Sequence, residues 1–168
     1  MNHEIPGNWR FMQRDDLAEV SRIAAAVHPD FPEDDIVLGE RLKLFPEGCF
    51  VLKNKGELGG YLLTHPWRAF DIPPLNTLLG SLPPDPETYY LHDIALMPEM
   101  RSKGEVSPII RYLLQRAKGQ RLASCSLVAV NNSQDFWSRL GFVEARNEEL
   151  DGKLQSYDEA ARFMVHRF

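Results

Sequence analysis

Apolar residues recur at helical spacing in some stretches of the chain and cluster at strand spacing in others. Leu17, Val20, Ala24 and Val27 fall on one face of a predicted helix, with Asp15 or Asp16 placed to cap it. Pro29 and Pro32 part it from a second helix over Glu33–Phe45, which Pro46 and Gly48 stop. Val106, Ile109, Ile110, Leu113, Leu114 and Ala117 form the strongest stripe. Ser107 is its predicted cap, Pro108 its first helical position and Gly119 its end. Strands are predicted at Trp9–Gln13, Cys49–Lys53, Leu58–Thr64, Thr88–Met97, Leu122–Val130, Phe142–Ala145 and Arg162–Phe168. Asn54-Lys55-Gly56-Glu57 reads as a hairpin turn, and Gly59 with Gly60 marks a bulge or a weakened strand. A short helix over Gln134–Leu140 closes on Gly141. Strands and helices alternate only in places, which makes the class α+β or mixed α/β.

Residues 66–87 break the pattern. Six of the chain's 12 prolines lie there, and Pro73-Pro74 and Pro83-Pro84 exclude a regular helix or central strand. Trp67, Phe70, Leu75, Leu78 and Leu79 make the segment too apolar for a solvated linker, so it is expected to pack on the domain and roof a site.

A length of 168 residues fits one domain, 1–168. A net charge of −5 argues against nucleic acid as a partner, which calls for a basic face. No apolar run reaches the roughly 18 residues that span a bilayer, and Met1–Arg10 lacks the apolar segment of a secretory signal. The expectation is a cytoplasmic chain, off the membrane, as monomer or homodimer. Cys49 and Cys125 sit in apolar runs and read as buried free thiols. His3, His28, His65 and His166 lack ligand spacing, so no metal is expected.

The chemistry is concentrated between Tyr89 and Ala117, where a strand turns into a helix N-terminus. Free amides and the positive end of the helix dipole make such a turn an anion site. Gly104 permits close approach, and Arg101 and Lys103 add positive charge. Neither GxxxxGK[ST] nor GxGxxG is present, so nucleotide folds of those types are not supported.

The stretch Ile94-Ala95-Leu96-Met97-Pro98-Glu99-Met100-Arg101-Ser102-Lys103-Gly104 resembles the strand-4 and pyrophosphate-loop motif of GNAT acetyltransferases. Arg101 and Gly104 fill the first and fourth places of Gln/Arg-x-x-Gly-x-Gly/Ala, while Val106 stands where Gly or Ala is usual. Asn132-Ser133-Gln134-Asp135-Phe136-Trp137-Ser138-Arg139-Leu140-Gly141-Phe142 is similar to the family's helix 4. The resemblance implies a mostly antiparallel sheet of six or seven strands, splayed between strands 4 and 5 and flanked by about four helices. It implies acetyl-CoA as co-substrate, with pantetheine along Ile94, Ala95 and Leu96 and the diphosphate cradled by Arg101, Ser102, Lys103, Gly104, Glu105, Val106 and Ser107. Asn132, Phe136 and Trp137 would flank the arm. The activity implied is transfer of acetyl to a primary amine of a small molecule or peptide, by direct attack in a ternary complex. A non-catalytic CoA-binding sensor or interaction module of the same fold is the alternative.

Deprotonating an ammonium calls for a base that titrates near neutrality, and imidazole does. His92 is the leading candidate, expected to share a strand face with Tyr90, Ile94 and Leu96; Asp93 is expected on the other face. His92-Asp93-Ile94-Ala95-Leu96 resembles strand 4 of arylalkylamine acetyltransferases, where a His so placed serves the base. Tyr90 is a candidate relay. Trp137 stands where many members carry a Tyr that protonates the leaving thiolate, and indole cannot act as an acid. The acidic run Glu33-Asp34-Asp35 reads as a helix N-terminus or as an attractor of a cationic substrate.

Overall fold

The computed structural model describes residues 4–155 and 157–168. Among the described residues, seven strands form one sheet in the order β1-β2-β3-β4-β5-β7-β6. They are β1 Trp9–Phe11, β2 Cys49–Asn54, β3 Glu57–Trp67, β4 Thr88–Leu96, β5 Ser124–Ala129, β6 Val143–Glu144 and β7 Arg162–Arg167. Every pairing is antiparallel except β4 with β5. Five α-helices among the described residues cover it: α1 Leu17–Val27, α2 Asp35–Leu44, α3 Val106–Gly119, α4 Gln134–Arg139 and α5 Glu148–Leu154.

Period-two alternation sorts the strands into two faces, and each helix stripe finds one of them. Ile109, Ile110 and Leu113 of α3 pack on Phe50, Leu52 and Leu62. Val20 and Ile23 of α1, with Leu38 of α2, pack on Val51, Tyr61 and Leu63 from the other side. Cys49 and Cys125 are buried free thiols, and burial pushes the Cys49 thiol up to about 12.

Four elements differ from the sequence pattern. Helix α3 begins at Val106 with Glu105 as its cap residue, so Ser107 and Pro108 lie inside the first turn. Pro108 is tolerated there because a first-turn N–H has no intrahelical partner to lose. Strand β3 runs on through Pro66 to Trp67, paired with Tyr89 and Thr88, so the irregular Pro-rich loop starts at residue 68. Glu33 lies outside α2, which starts at Asp35. Helix α5 was not expected at all. Only Leu150 and Leu154 mark its buried face, although Asn147 caps it by accepting from the Leu150 N–H at 2.7 Å.

Two irregularities shape the sheet. Gly59 is the extra residue where β2–β3 pairing shifts between Leu52 and Lys53, as its glycine suggested. A second shift, between Leu63 and Thr64, leaves His92 as the extra residue on β4.

Candidate active site

Beyond the bulge, the face of β4 changes. Leu91 pairs with Thr64 and Asp93 with Leu63, so one residue separates the two pairs on β4 and none on β3. Tyr89, Leu91, Ile94 and Leu96 therefore look toward α3, while Tyr90, His92, Asp93 and Ala95 share the opposite side. This corrects the expected grouping of His92 with Ile94 and Leu96, and the expected removal of Asp93 to the other face. The extra bulge residue breaks the two-residue alternation on which both rested.

The β4–β5 ladder ends at the pair Leu91–Leu127, yet β4 continues to Leu96 and β5 to Ala129. The strands splay, and a cavity of about 520 Å³ opens between them, running under α4 to the start of α3. One wall is an unpaired strand edge. The Met97 N–H bonds to Gly59 on β3, so alternation turns the amide groups of Ile94 and Leu96 away from β3. At the far end Ser102 and Gly104 both hold positive φ, 61° and 72°, in the turn before α3. Arg101 donates from Nε to the Leu96 carbonyl at 3.1 Å, tying that turn to the end of β4.

Of the residues expected to hold the co-substrate, Ile94, Leu96, Arg101, Ser102, Gly104, Glu105, Val106, Ser107, Phe136 and Trp137 line this cavity. Ala95, Lys103 and Asn132 do not. Ala95 is buried against Tyr61 and Leu63 on the α1 side, Lys103 and Asn132 are exposed, and Asn131 takes the place expected for Asn132. Tyr90 lines neither this cavity nor the one next to it. It is 1% exposed, its phenol bonds to Tyr157, and burial holds its pKa well above the usual tyrosine value. It is a packed hydrogen-bond donor rather than a relay.

At the bulge two carboxylate–imidazole pairs meet the cavity. His92 Nε2 lies 2.7 Å from Glu33 Oε1, with the side chains only 1% and 6% exposed. Burial pushes the Glu33 carboxyl up, but the hydrogen bond and charge of His92, the Asn76 N–H and Arg41 together hold it below the ordinary range. Glu33 is thus ionised near neutrality and His92 Nε2 must be the donor, which leaves Nδ1 as the basic nitrogen of neutral His92.

His28, just past the end of α1, forms the second pair. Its Nε2 lies 2.9 Å from Asp93 Oδ1 and 3.2 Å from the Ile94 carbonyl. Both partners only accept, so Nε2 carries a hydrogen. Burial opposes protonation of His28, but the bond and charge of Asp93, the Ile94 carbonyl and Glu33 raise its pKa above the usual histidine value. The Tyr61 hydroxyl donates to the other Asp93 oxygen.

A smaller cavity of about 50 Å³ adjoins the first and shares His28, His92, Asp93, Val128 and Val130 with it. Phe31, Glu33, Leu75 and Tyr157 complete it. Sequence reasoning singled out His92 but missed His28, Asp93 and Tyr61 as a unit and Tyr157 as a wall. The bulge carried no signal of its own in the chain. His3 lies outside the described residues. Among the described residues no three His, Cys, Asp or Glu side chains group as a metal site. No helix among them is long and apolar enough to cross a membrane.

The family model described as "Acetyltransferase (GNAT) family" matches residues 13–142. The chain belongs to the GNAT acetyltransferase family. The matched span takes in every residue that lines the larger cavity of this GNAT protein, and leaves out β1, β6, α5 and β7. A curated relative, the tRNA(Met) cytidine acetyltransferase TmcA of Saccharolobus islandicus, is 34% identical over 106 residues. That match is 60% of this chain and only 13% of that protein. Among solved structures, GphF, a GNAT-like decarboxylase in complex with isobutyryl-CoA, superposes with a TM-score of 0.76 at 16% identity, covering 96% and 99% of the two chains. The ribosomal-protein-S18-alanine N-acetyltransferase of Escherichia coli gives 0.63 at 18% identity, covering 95% and 92%. Since one fold carries transfer in one neighbour and decarboxylation in another, the reaction has to be argued from the site.

Proposed function

We propose that this GNAT protein transfers an acetyl group from acetyl-CoA to a primary amine of a small molecule or peptide, by direct attack in a ternary complex. The observation that carries the reading is the bulge in β4. It sets two carboxylate-held imidazoles where an unpaired strand edge, open to a pantetheine arm, meets a second and smaller cavity. The residues present fit the donor: an apolar splay for the arm, and for the diphosphate a positive-φ turn at the N-terminus of a 14-residue helix with Arg101 beside it.

The smaller cavity suits the acceptor. At about 50 Å³ it admits a few heavy atoms, so only the amino end of an acceptor enters. Leu75 belongs to the Pro-rich loop, which supports that loop as the roof over the acceptor. Glu33, which lines the smaller cavity beside a neutral His92, supplies negative charge for an arriving ammonium. His92 acts as base through Nδ1, with Glu33 fixing the tautomer, as a carboxylate does for the histidine of a hydrolytic triad. The net charge of −5 sets the acceptor apart from the tRNA named for the curated relative. The proposed setting is a cytoplasmic monomer or homodimer.

Thiol release from acetyl-CoA across a panel of small primary amines, peptides and cytidine tests the reading. Turnover with a primary amine is expected, and His92→Ala should lower kcat by roughly 10²–10⁴-fold while calorimetry finds acetyl-CoA still bound. Binding without turnover for any amine would favour the non-catalytic reading, which Val106 and Trp137 on the cavity wall support. Failure of acetyl-CoA to bind at millimolar concentration would remove both.

A further inference from the structure

We propose that His28 is the general acid of this site, handing the Nδ1 proton of its imidazolium to the sulfur that leaves the acetyl group. The inference deepens the acetyl-transfer reading and rests on it. The need is plain from the cavity wall. Trp137 has an N–H but no proton that an acid can give near neutrality, and the serines that line the cavity are too weakly acidic.

His28 meets the requirements by position. Its Nε2 bonds to the Ile94 carbonyl on the unpaired edge of β4, so the ring stands against the wall along which the acyl donor lies. Its Nδ1 is buried and has no hydrogen-bond partner among the described residues. With Nε2–H held by Asp93 and Ile94, the proton that comes and goes is the one on Nδ1. The groups facing the ring are Asp93 and the Ile94 carbonyl from β4, Glu33 from the segment before α2, and Tyr61 of β3 acting through Asp93. The net effect of these neighbours keeps the imidazolium populated to higher pH than a free histidine. An acid requires that, whereas a base is hindered by it. The two pairs thus divide the work.

The amine nitrogen bonds to the acetyl carbon and the carbonyl electron pair moves to oxygen. Where an ammonium arrives, it has first lost one proton to solvent by way of His92 Nδ1; His92 Nδ1 then takes a second proton from the attacking nitrogen. The carbonyl re-forms as the carbon–sulfur bond breaks, the bond's electron pair stays on sulfur, and sulfur takes the His28 proton. Amide and CoA thiol leave. His92 gives up its proton to solvent and His28 regains one from it, so each turnover starting from an ammonium releases one proton.

Acetyl-seleno-CoA separates this role from others, because a selenolate departs without being protonated. For the unmodified protein, kcat with acetyl-CoA should fall at alkaline pH as the His28 imidazolium is lost, and with acetyl-seleno-CoA that alkaline limb should vanish. His28→Gln should lower kcat with acetyl-CoA by roughly 10²-fold or more, yet by less than about 10-fold with the selenoester, with KM for acetyl-CoA near that of the unmodified protein. His92→Gln, which removes the base, should cost the same with either donor. Equal loss from His28→Gln with both donors, or an alkaline limb that persists with the selenoester, overturns the proposal and leaves acetyl transfer standing. Absence of transfer by the unmodified protein from acetyl-CoA to any amine overturns both.

Discussion

His65 is held between the rings of Trp67 and Tyr90, at centroid distances of 5.2 and 5.6 Å, and is 2% exposed. Its Nδ1 lies 2.9 Å from the Pro66 carbonyl, so Nδ1 is the protonated nitrogen and Nε2 is a buried lone pair without a partner. Burial lowers its pKa to about 3, with the nearby His92 and Arg41 adding to the effect. An unfolded histidine takes its proton near pH 6.5, so between that value and about 3 the unfolded chain binds one proton more than the folded one. Stability therefore falls as pH drops through this window, by on the order of 2 kcal/mol at pH 5. His28 acts in the other direction. Its raised pKa gives stability that is complete below about 6.5 and is lost only at higher pH. The depressed carboxylates Asp16, Glu33 and Asp71 give stability that starts to be lost only near about pH 4–5. His65→Phe should accordingly flatten the decline in Tm between pH 6.5 and 5, read by thermal melts at fixed ionic strength. An unchanged slope would rule out His65 as its source.

Among elements, the β3–β4 pair is the one whose geometry makes the site, and glycine decides how closely the strands approach. A Cβ on Gly60 would stand 2.7 Å from the Ala95 carbonyl oxygen and 3.4 Å from the Leu96 Cα, both backbone atoms that cannot swing aside. Gly60→Ala should destabilise by about 1–3 kcal/mol through overpacking. Gly152 in α5 has nothing within 4 Å of the same added atom. Gly152→Ala should stabilise by about 0.4–1 kcal/mol, because it only removes freedom from the unfolded chain. Opposite shifts in urea midpoint are the expected result, and shifts of the same sign would contradict it. The bulge opposite Leu63 and Thr64 could not be foreseen at this scale. It depends on how β3 and β4 take register, with Gly60 against Leu96 at one end and Trp67 against Thr88 at the other. Strand identity was readable from Tyr89-Tyr90-Leu91, but the face each later residue shows was not.

Across the whole molecule, the Pro-rich loop is tied to helices far from it in sequence. Glu40 of α2 accepts from the Leu79 and Gly80 amides at 2.6 and 3.0 Å, and Arg41 is buried beside it. Tyr157 donates to the Pro73 carbonyl at 2.6 Å, and Lys153 of α5 reaches Asp71 at 2.9 Å. The loop beside the smaller cavity is thus fastened on both sides, which limits that cavity to a small opening. The larger cavity is held open by the divergence of β4 and β5, so a ligand entering it finds a prepared wall. A donor present at about 100 times its Kd should stabilise the fold by about 2.7 kcal/mol, raising Tm by roughly 5–10 °C. Differential scanning fluorimetry with acetyl-CoA reads this directly. Desulfo-CoA should do nearly as well if the diphosphate and arm are held as proposed, since it keeps both.

The division between chain and fold follows from how far apart the interacting groups lie. Strand β4, the turn Arg101–Ser107 and the stripe of α3 are contiguous, and their chemistry is set by dihedral preference and periodicity that neighbouring residues determine among themselves. The glycine-containing turn into α3 and the buried thiols were legible for that reason. The paired imidazoles were not. Glu33 meets His92 across 59 positions of sequence, and His28 reaches the Ile94 carbonyl across 66. No local rule joins them. Only closure of α1 and α2 onto one face of the sheet, together with a single unpaired residue that turns Asp93 toward that face, brings their charges to hydrogen-bonding distance and excludes the water that would screen them.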